Sequence, residues 1–257
     1  MNETELLFSE VLGCDRTALY LDKAKILDQD KLALISSVLK RRIKGEPIQY
    51  ILGKTEFMAL KLKVNRDVLI PRPETEILVE TTLKYADKIR QAEILDLGTG
   101  SGCIAISLGK RLVNAKIDAI DISDKALAVA EENAGLNGVK IDFIRSDLFD
   151  SLGNREYDII VSNPPYIADD EIGRLQPELQ FEPRVALSAG VDGLDFYRRI
   201  SLKAAGHLKK DGLLIMEIGF GQRLGIEKTS LDSGAFKITE AIKDYSNIDR
   251  VIVAQKI

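Results

Sequence analysis

The chain has 257 residues, 45% of them hydrophobic and 30% charged, and a formal net charge of −4. That length holds one large or two small domains with a substantial core, and the balance of apolar and charged residues excludes a disordered or fibrous chain. The acidic balance excludes a global basic field for nucleic acid. Cys14 and Cys103 stand too far apart for a cysteine metal motif and are expected to stay reduced, and no apolar run reaches transmembrane length.

The amino-terminal residues Met1 to Glu5 are acidic and lack the apolar stretch of a secretion signal, so a cytoplasmic location is expected. Residues 1 to about 45 read as helical. Leu32, Ile35, Leu39 and Ile43, with Leu34 and Val38, repeat with a period near 3.6, and Leu6, Leu7 and Val11 do the same on a shorter scale. Lys40, Arg41, Arg42 and Lys44 cluster where that helix ends, a placement that its macrodipole favours and that suits a solvated face. Gly45-Glu46-Pro47 breaks the pattern. Leu60, Leu62 and Val64 then alternate with lysines, which predicts a strand of a small hairpin.

After Pro71-Arg72-Pro73-Glu74-Thr75-Glu76 a helix is expected from Ile77 to Ala86. From residue 92 strand and helix patterns alternate, with strands at 93–97, 116–120, 141–144, 158–162 and 213–218 and helices at 103–112, 124–136 and 195–208. Phe236 to Glu240 and Val251 to Gln255 add two more strands, the last antiparallel. This order predicts an α/β fold with a mostly parallel sheet covered on both faces. The stretch from Ala168 to Gly193 is too long for an ordinary connection, and such loops are usually functional or disordered.

Three strand ends carry chemistry. Behind the first strand, Gly98, Gly100 and Gly102 form a GxGxG turn that permits positive φ and close backbone approach to a ligand. The spacing departs from the GxGxxG of dinucleotide sites. About 20 residues on, the second strand ends in Asp121, positioned either to hold ribose hydroxyls or to cap the helix that starts near Asp124. The fourth strand ends in Asn163-Pro164-Pro165-Tyr166. The two prolines stiffen the exit and leave carbonyls free, Asn163 adds an amide, and Tyr166 adds a flat face. Such a set suits a planar group bearing –NH2, whose two hydrogens need two acceptors. In an open parallel sheet all three ends face one crevice.

With these motifs the chain resembles the HemK/PrmC-type glutamine methyltransferases over nearly its whole length. The resemblance extends through Gly45-Glu46-Pro47-Ile48-Gln49-Tyr50, Leu69 to Glu76, Glu182-Pro183-Arg184-Val185-Ala186-Leu187 and Asp192-Gly193-Leu194. It implies a Rossmann-like class I methyltransferase domain with a mostly parallel seven-stranded sheet at residues 71–257. A helical substrate-recognition domain would occupy residues 1–54, and a β-hairpin linker 55–70. The implied reaction moves a methyl group from S-adenosyl-L-methionine to the glutamine side-chain nitrogen in the Gly-Gly-Gln motif of peptide chain release factors, by a monomer with no direct nucleic-acid contact.

Carried over by motif, Gly98, Thr99, Gly100, Ser101 and Gly102 would line the cofactor, and Asp121 would hold its ribose. Asp147 and Leu148 belong to the segment beside the adenine. Some relatives carry an aromatic residue where Leu148 stands, so here it offers apolar contact or ordinary core packing. Asn163 would touch cofactor and substrate, with Pro164, Pro165 and Tyr166 completing the substrate clamp. A strong base is not required, because an N-alkylated, N-protonated amide is very acidic. His207, the only histidine, is expected at a helix end rather than in catalysis. The rival reading is methylation of an exocyclic amine of adenine or guanine in RNA or DNA, which needs the same two acceptors but also phosphate-binding cations. A lysine methyltransferase, a dinucleotide-dependent hydride transfer and a non-catalytic binding module suit the residues less well.

Overall fold

The computed structural model describes residues 2–21 and 27–257; Met1 and residues 22–26, within the stretch expected to be helical, lie outside the described residues. Helix α1 (Glu3–Leu12) starts with a capping box, in which the Asn2 side chain accepts from the Glu5 amide while Glu5 accepts from the Asn2 amide, and it ends on left-handed Gly13. Helices α2 (Arg16–Leu21), α3 (Gln29–Ile43) and the short α4 (Ile48–Leu52) follow. A small core of Leu7, Val38 and Ile48 joins α1, α3 and α4. On α3 only part of the expected apolar face is covered: Ile35 and Val38 are buried, while Leu32, Leu39 and Ile43 remain exposed.

The basic cluster at the end of α3 is not a simply solvated face. Arg41 donates from Nε and Nη2 to the Glu46 carboxylate and also to the Tyr50 carbonyl, and Arg42 pairs with Glu3 and Glu178. For Arg41, charge-assisted bonds to the buried Glu46 carboxylate outweigh solvation of its guanidinium group, while Lys40 and Lys44 remain exposed as expected.

Strands β1 (Lys54–Phe57) and β2 (Leu60–Lys63) form the hairpin. Its turn residues Met58 and Ala59 have φ of 50° and 59°, and Glu76 accepts the Met58 N–H at 2.9 Å. Buried Asn133 anchors the hairpin to the sheet domain. Its Oδ1 accepts from the Lys63 amide, and its Nδ2 donates to the carbonyls of Lys63 and Ser101.

Helix α5 (Thr75–Ala86) leads into β3 (Glu93–Leu97), α6 (Cys103–Arg111), β4 (Lys116–Asp121), α7 (Asp124–Asn137), β5 (Asp142–Arg145) and β6 (Tyr157–Ser162). Helix α8 (Asp195–Lys203), β7 (Leu208–Glu217), α9 (Arg223–Asp232), β8 (Phe236–Lys243) and β9 (Asp249–Lys256) complete the chain. The seven-stranded sheet runs in the order β5-β4-β3-β6-β7-β9-β8; β9 is antiparallel to both neighbours, and the other pairs are parallel. Alternate residues face opposite sides. Ile94, Ile159, Val161 and Ile215 pack in the core under α5 and α6, and Leu95, Ile160, Leu214 and Met216 pack in the opposite core with Tyr197 and Ile200 of α8. The expected mostly parallel, doubly covered sheet is therefore present.

Two departures are physical. The expected helix 195–208 stops at Lys203, gives way to a 3-10 turn over Ala204–His207, and β7 begins at Leu208 rather than 213. Asp211 at φ 61° lets the strand pass its polar Lys209–Gly212 stretch, with a register shift against Tyr157 and Ile159. The 168–193 stretch is built from three 3-10 turns, over Ile172–Arg174, Pro177–Phe181 and Arg184–Ala186, and is held by a bridge between Ile167 and Ser188. Among the described residues no helix is long and apolar enough to cross a membrane.

Candidate active site

At the end of β3, Asp96 is fully buried, and its Oδ2 accepts from Thr99 Oγ1 at 2.7 Å and from the Ala105 amide at 3.2 Å. This fixes the glycine turn from behind. Burial raises the Asp96 pKa to about 7, and Oδ1 has no partner. Gly98 (φ 74°) and Gly100 (φ 55°) leave open space where a Cβ would stand, so this stretch of backbone is free to meet a ligand. Gly102 (φ 82°) serves packing instead, since a Cβ there would meet Ile106 at 2.8 Å and Ala130 at 3.1 Å.

Asp121 ends β4. Its Oδ2 accepts from the Gly100 amide and its Oδ1 from the Ser123 amide, both at 2.9 Å. Burial raises its pKa against those two bonds. Helix α7 is capped by Ser123, whose hydroxyl accepts from the Ala126 amide, so Asp121 is not the cap. Each of its oxygens keeps acceptor capacity for a ligand hydroxyl.

One pocket is lined by Gly98, Gly100, Asp121, Asp147, Leu148, Asn163 and Pro165, together with Phe196 and Arg199 of α8. Asp147 is held by Arg199 at 2.7 Å, and Leu148 sits in the left-handed region at φ 50°. Thr99, Ser101 and Gly102 back the turn and do not line this pocket, and Pro164 and Tyr166 also lie outside its lining. A ligand with a diol reaching Asp121 and an apolar ring beside Leu148 suits this donor and acceptor set.

Beside the pocket, Asn163 Nδ2 donates to Thr75 Oγ1 at 3.1 Å. The arrangement turns Asn163 Oδ1 away from Thr75. Pro164 is buried, and Tyr166 is partly buried with its phenol pKa raised by burial. Gln222 staples the exit loop: its Nε2 donates to the Tyr166 carbonyl at 2.8 Å, and its Oε1 accepts from the Gly219 amide. Arg72 donates to buried Glu182 at 2.6 Å and ties the Pro-Arg-Pro-Glu segment to the long loop.

Sequence reasoning assigned no role to Thr75, Glu217 or Gln222. Glu217 ends β7 with a carboxyl held up to about 7 by burial, next to Thr75 and Asn163. The signal for it is a single acid inside an apolar run, Leu213 to Ile218. His207 lies at the opposite end of the sheet, stacked on Phe149 at 4.9 Å with Nδ1 against the Arg155 carbonyl. It has no access to this pocket.

Comparisons with known proteins agree with this geometry. Residues 1–53 match the family model of the PrmC N-terminal domain, and residues 73–178 match that of the methyltransferase small domain. The release factor glutamine methyltransferase of Thermodesulfovibrio yellowstonii is 43% identical over 260 residues, covering 100% of this chain and 92% of its own. That of Geobacter sulfurreducens is 43% identical over 251 residues, covering 97% and 87%. In fold, the hMettl16 catalytic domain, solved in complex with the MAT2A 3′UTR hairpin 1, superposes with a TM-score of 0.59 at 19% identity, covering 89% of this chain and 81% of that one. Full-length identity above 40%, with both family models in sequence order and a pocket built from the glycine turn, Asp121 and Asn163, leads to one conclusion: the chain belongs to the release factor glutamine methyltransferase family.

Proposed function

We propose that the protein transfers a methyl group from S-adenosyl-L-methionine to the side-chain amide nitrogen of the glutamine in the Gly-Gly-Gln motif of peptide chain release factors. The observation that carries this reading is Asn163, whose Nδ2 is occupied by Thr75 so that Oδ1 remains to accept an N–H from an incoming amide. When bound, the cofactor supplies a methyl carbon activated by a positively charged sulfur. Gly98, Gly100, Asp121, Asp147 and Leu148, which line the pocket, would hold it, with Thr99, Ser101 and Gly102 shaping the turn from behind and the Asp121 carboxylate accepting from ribose hydroxyls.

Asn163 Oδ1 and the Pro164 carbonyl each accept one hydrogen of the glutamine –NH2. An amide nitrogen is a poor nucleophile because its lone pair is delocalised into the carbonyl. Two acceptors aim that nitrogen and draw density onto it as the new bond forms. Positioning of this kind supplies roughly 7–11 kcal/mol in the best intramolecular cases. The methyl group would leave as its bond to sulfur breaks, giving S-adenosylhomocysteine, and the product nitrogen would release its extra proton to water without a strong base. Pro165 and Tyr166 flank the acceptor, with Tyr166 as a flat surface. Residues 1–54 act as the substrate-recognition unit, 55–70 as the hairpin linker and 71–257 as the transferase, working as a cytoplasmic monomer without direct nucleic-acid contact.

The test is transfer of labelled methyl from S-adenosyl-L-methionine to a purified bacterial release factor, beside the same factor with glutamate replacing the glutamine. Label on the first and none on the second is the expected result. Equal label on both would overturn the acceptor assignment. No label on either, with cofactor binding intact, would move the acceptor to an exocyclic amine of a nucleic acid.

A further inference from the structure

The Asn163 amide has two ends that differ chemically, and only one orientation leaves an acceptor facing a substrate –NH2. The structure places a chain of polar groups behind it. Thr75, the first residue of α5, and Glu217, the last of β7, are each 2% exposed. Register pairs Ser162 with Met216, so Glu217 follows directly beside Asn163 at the ends of adjacent strands. Thr75 and Asn163 stand next to Glu217 and work against the rise that burial gives its pKa, and Glu217 Oε2 is left without a partner. Its backbone carbonyl is fixed by the Tyr197 hydroxyl at 2.9 Å. Arg250, the cation nearest in effect, spends its Nε on Asp244 at 2.8 Å.

A carboxyl buried without a direct cation is costly, and a purely structural position would be served as well by an apolar residue. Its position at the first turn of the 12-residue α5 is electrostatically favourable for an anion. The consequence lies in the hydroxyl between them. Thr75 has one proton and two lone pairs. In its ionised form Glu217 offers only acceptors, so there the Thr75 proton points to Glu217 and Oγ1 can only accept. What faces Oγ1 must then be a donor, which is Asn163 Nδ2 at 3.1 Å. The reversed amide would set Oδ1 against the Thr75 lone pairs.

We propose that Glu217 and Thr75 are positioning residues that fix the direction of the Asn163 amide, keeping Oδ1 toward the acceptor nitrogen. The inference rests on the role given to Asn163 above. Neither residue touches the reacting atoms; both act through Asn163.

The test measures kcat, KM for the release factor, and S-adenosylhomocysteine affinity for Thr75→Val, Thr75→Ser, Glu217→Ala and Asn163→Ala, with the thermal midpoint of each. Thr75→Val and Glu217→Ala are expected to lower kcat by about ten- to a hundredfold, with cofactor affinity and KM within about threefold. Thr75→Ser, which keeps the hydroxyl, should recover most of the loss. Should Thr75→Val fail to fold, Thr75→Ala takes its place with the same expected loss. Wild-type kcat in Thr75→Val or Thr75→Ala, or an equal loss in Thr75→Ser, would overturn the proposal, as would a loss confined to KM or cofactor affinity. If Asn163→Ala itself turns over normally, the clamp reading falls and the network has nothing to orient. If Asn163→Ala is inactive while the Thr75 and Glu217 variants are normal, the network inference alone fails.

Discussion

Buried carboxylates at the two ends of this molecule are treated in opposite ways. In the amino-terminal helices, Glu46 is 3% exposed and surrounded by guanidinium groups, with Arg41 and Arg66 both donating to it. Those bonds, Arg41's first, pull its carboxyl down to about 2. At the carboxyl ends of the sheet, Asp96, Asp121 and Glu217 are also buried or nearly so, yet burial is the leading cause of their shift and each is pushed up. No arginine or lysine is hydrogen-bonded to any of them among the described residues. The difference separates carboxylates paired with cations from carboxylates that arrange the site, Asp121 in the pocket lining and Asp96 and Glu217 behind the groups that face it. Perturbed acids without a structural cation mark the site.

Glu182 stands between these cases, and breaking its ion pair gives the largest expected effect. Its side chain is 1% exposed and paired with Arg72 at 2.6 Å, but burial still raises its pKa and Oε2 has no partner. Arg72→Met leaves that charge buried alone. A loss of about 3 kcal/mol is expected, lowering the thermal midpoint by roughly 10 °C; a shift below about 2 °C would place Glu182 with the acids that arrange the site.

A second measurement compares pH dependences. Glu217 has a raised folded pKa, so the stability it contributes is complete below its unfolded value of 4.5 and is lost as pH rises through about 7. Glu217→Gln should therefore gain on the wild type between pH 5 and 8, on the order of 2 kcal/mol, and no further above that range. Glu46 has a lowered folded pKa, so its contribution is present above 4.5 and is lost as pH falls toward 2. The cost of Glu46→Gln should shrink in acid. Parallel curves for the two variants would erase the contrast.

Asp121→Ala sharpens the same comparison through binding. S-adenosylhomocysteine affinity should fall about tenfold or more, because bonds to a charged acceptor are lost, while the unliganded thermal midpoint moves far less than in Arg72→Met. The smallest effect is expected for Arg42→Ala. Its pairs with Glu3 and Glu178 are part-exposed, so less than about 1 kcal/mol should be lost.

Much of the site was legible in the sequence because each motif is local. A strand running into glycines, a strand ending in Asp121 and a strand ending in Asn163 can be read independently, and the β4-β3-β6 adjacency brings them together. Glu217 and Thr75 were not legible, since their meaning comes from a contact between chain segments 88 and 54 residues away from Asn163. The hairpin turn hid for a related reason: Met58 and Ala59 carry no glycine or asparagine to signal positive φ, and Glu76 holds them from a later helix. Helix α9 escaped notice because Arg223–Asp232 offers little apolar periodicity. The expected face of α3 was too generous, for periodicity marks a stripe without saying how much of it is covered.

The most direct test of the central claim is the single-turnover rate of Asn163→Ala on a release factor, measured beside its S-adenosylhomocysteine affinity. The account predicts a rate about 100- to 1,000-fold below wild type with affinity changed by less than about tenfold, since Asn163 acts on the acceptor nitrogen. A near-normal rate would contradict it.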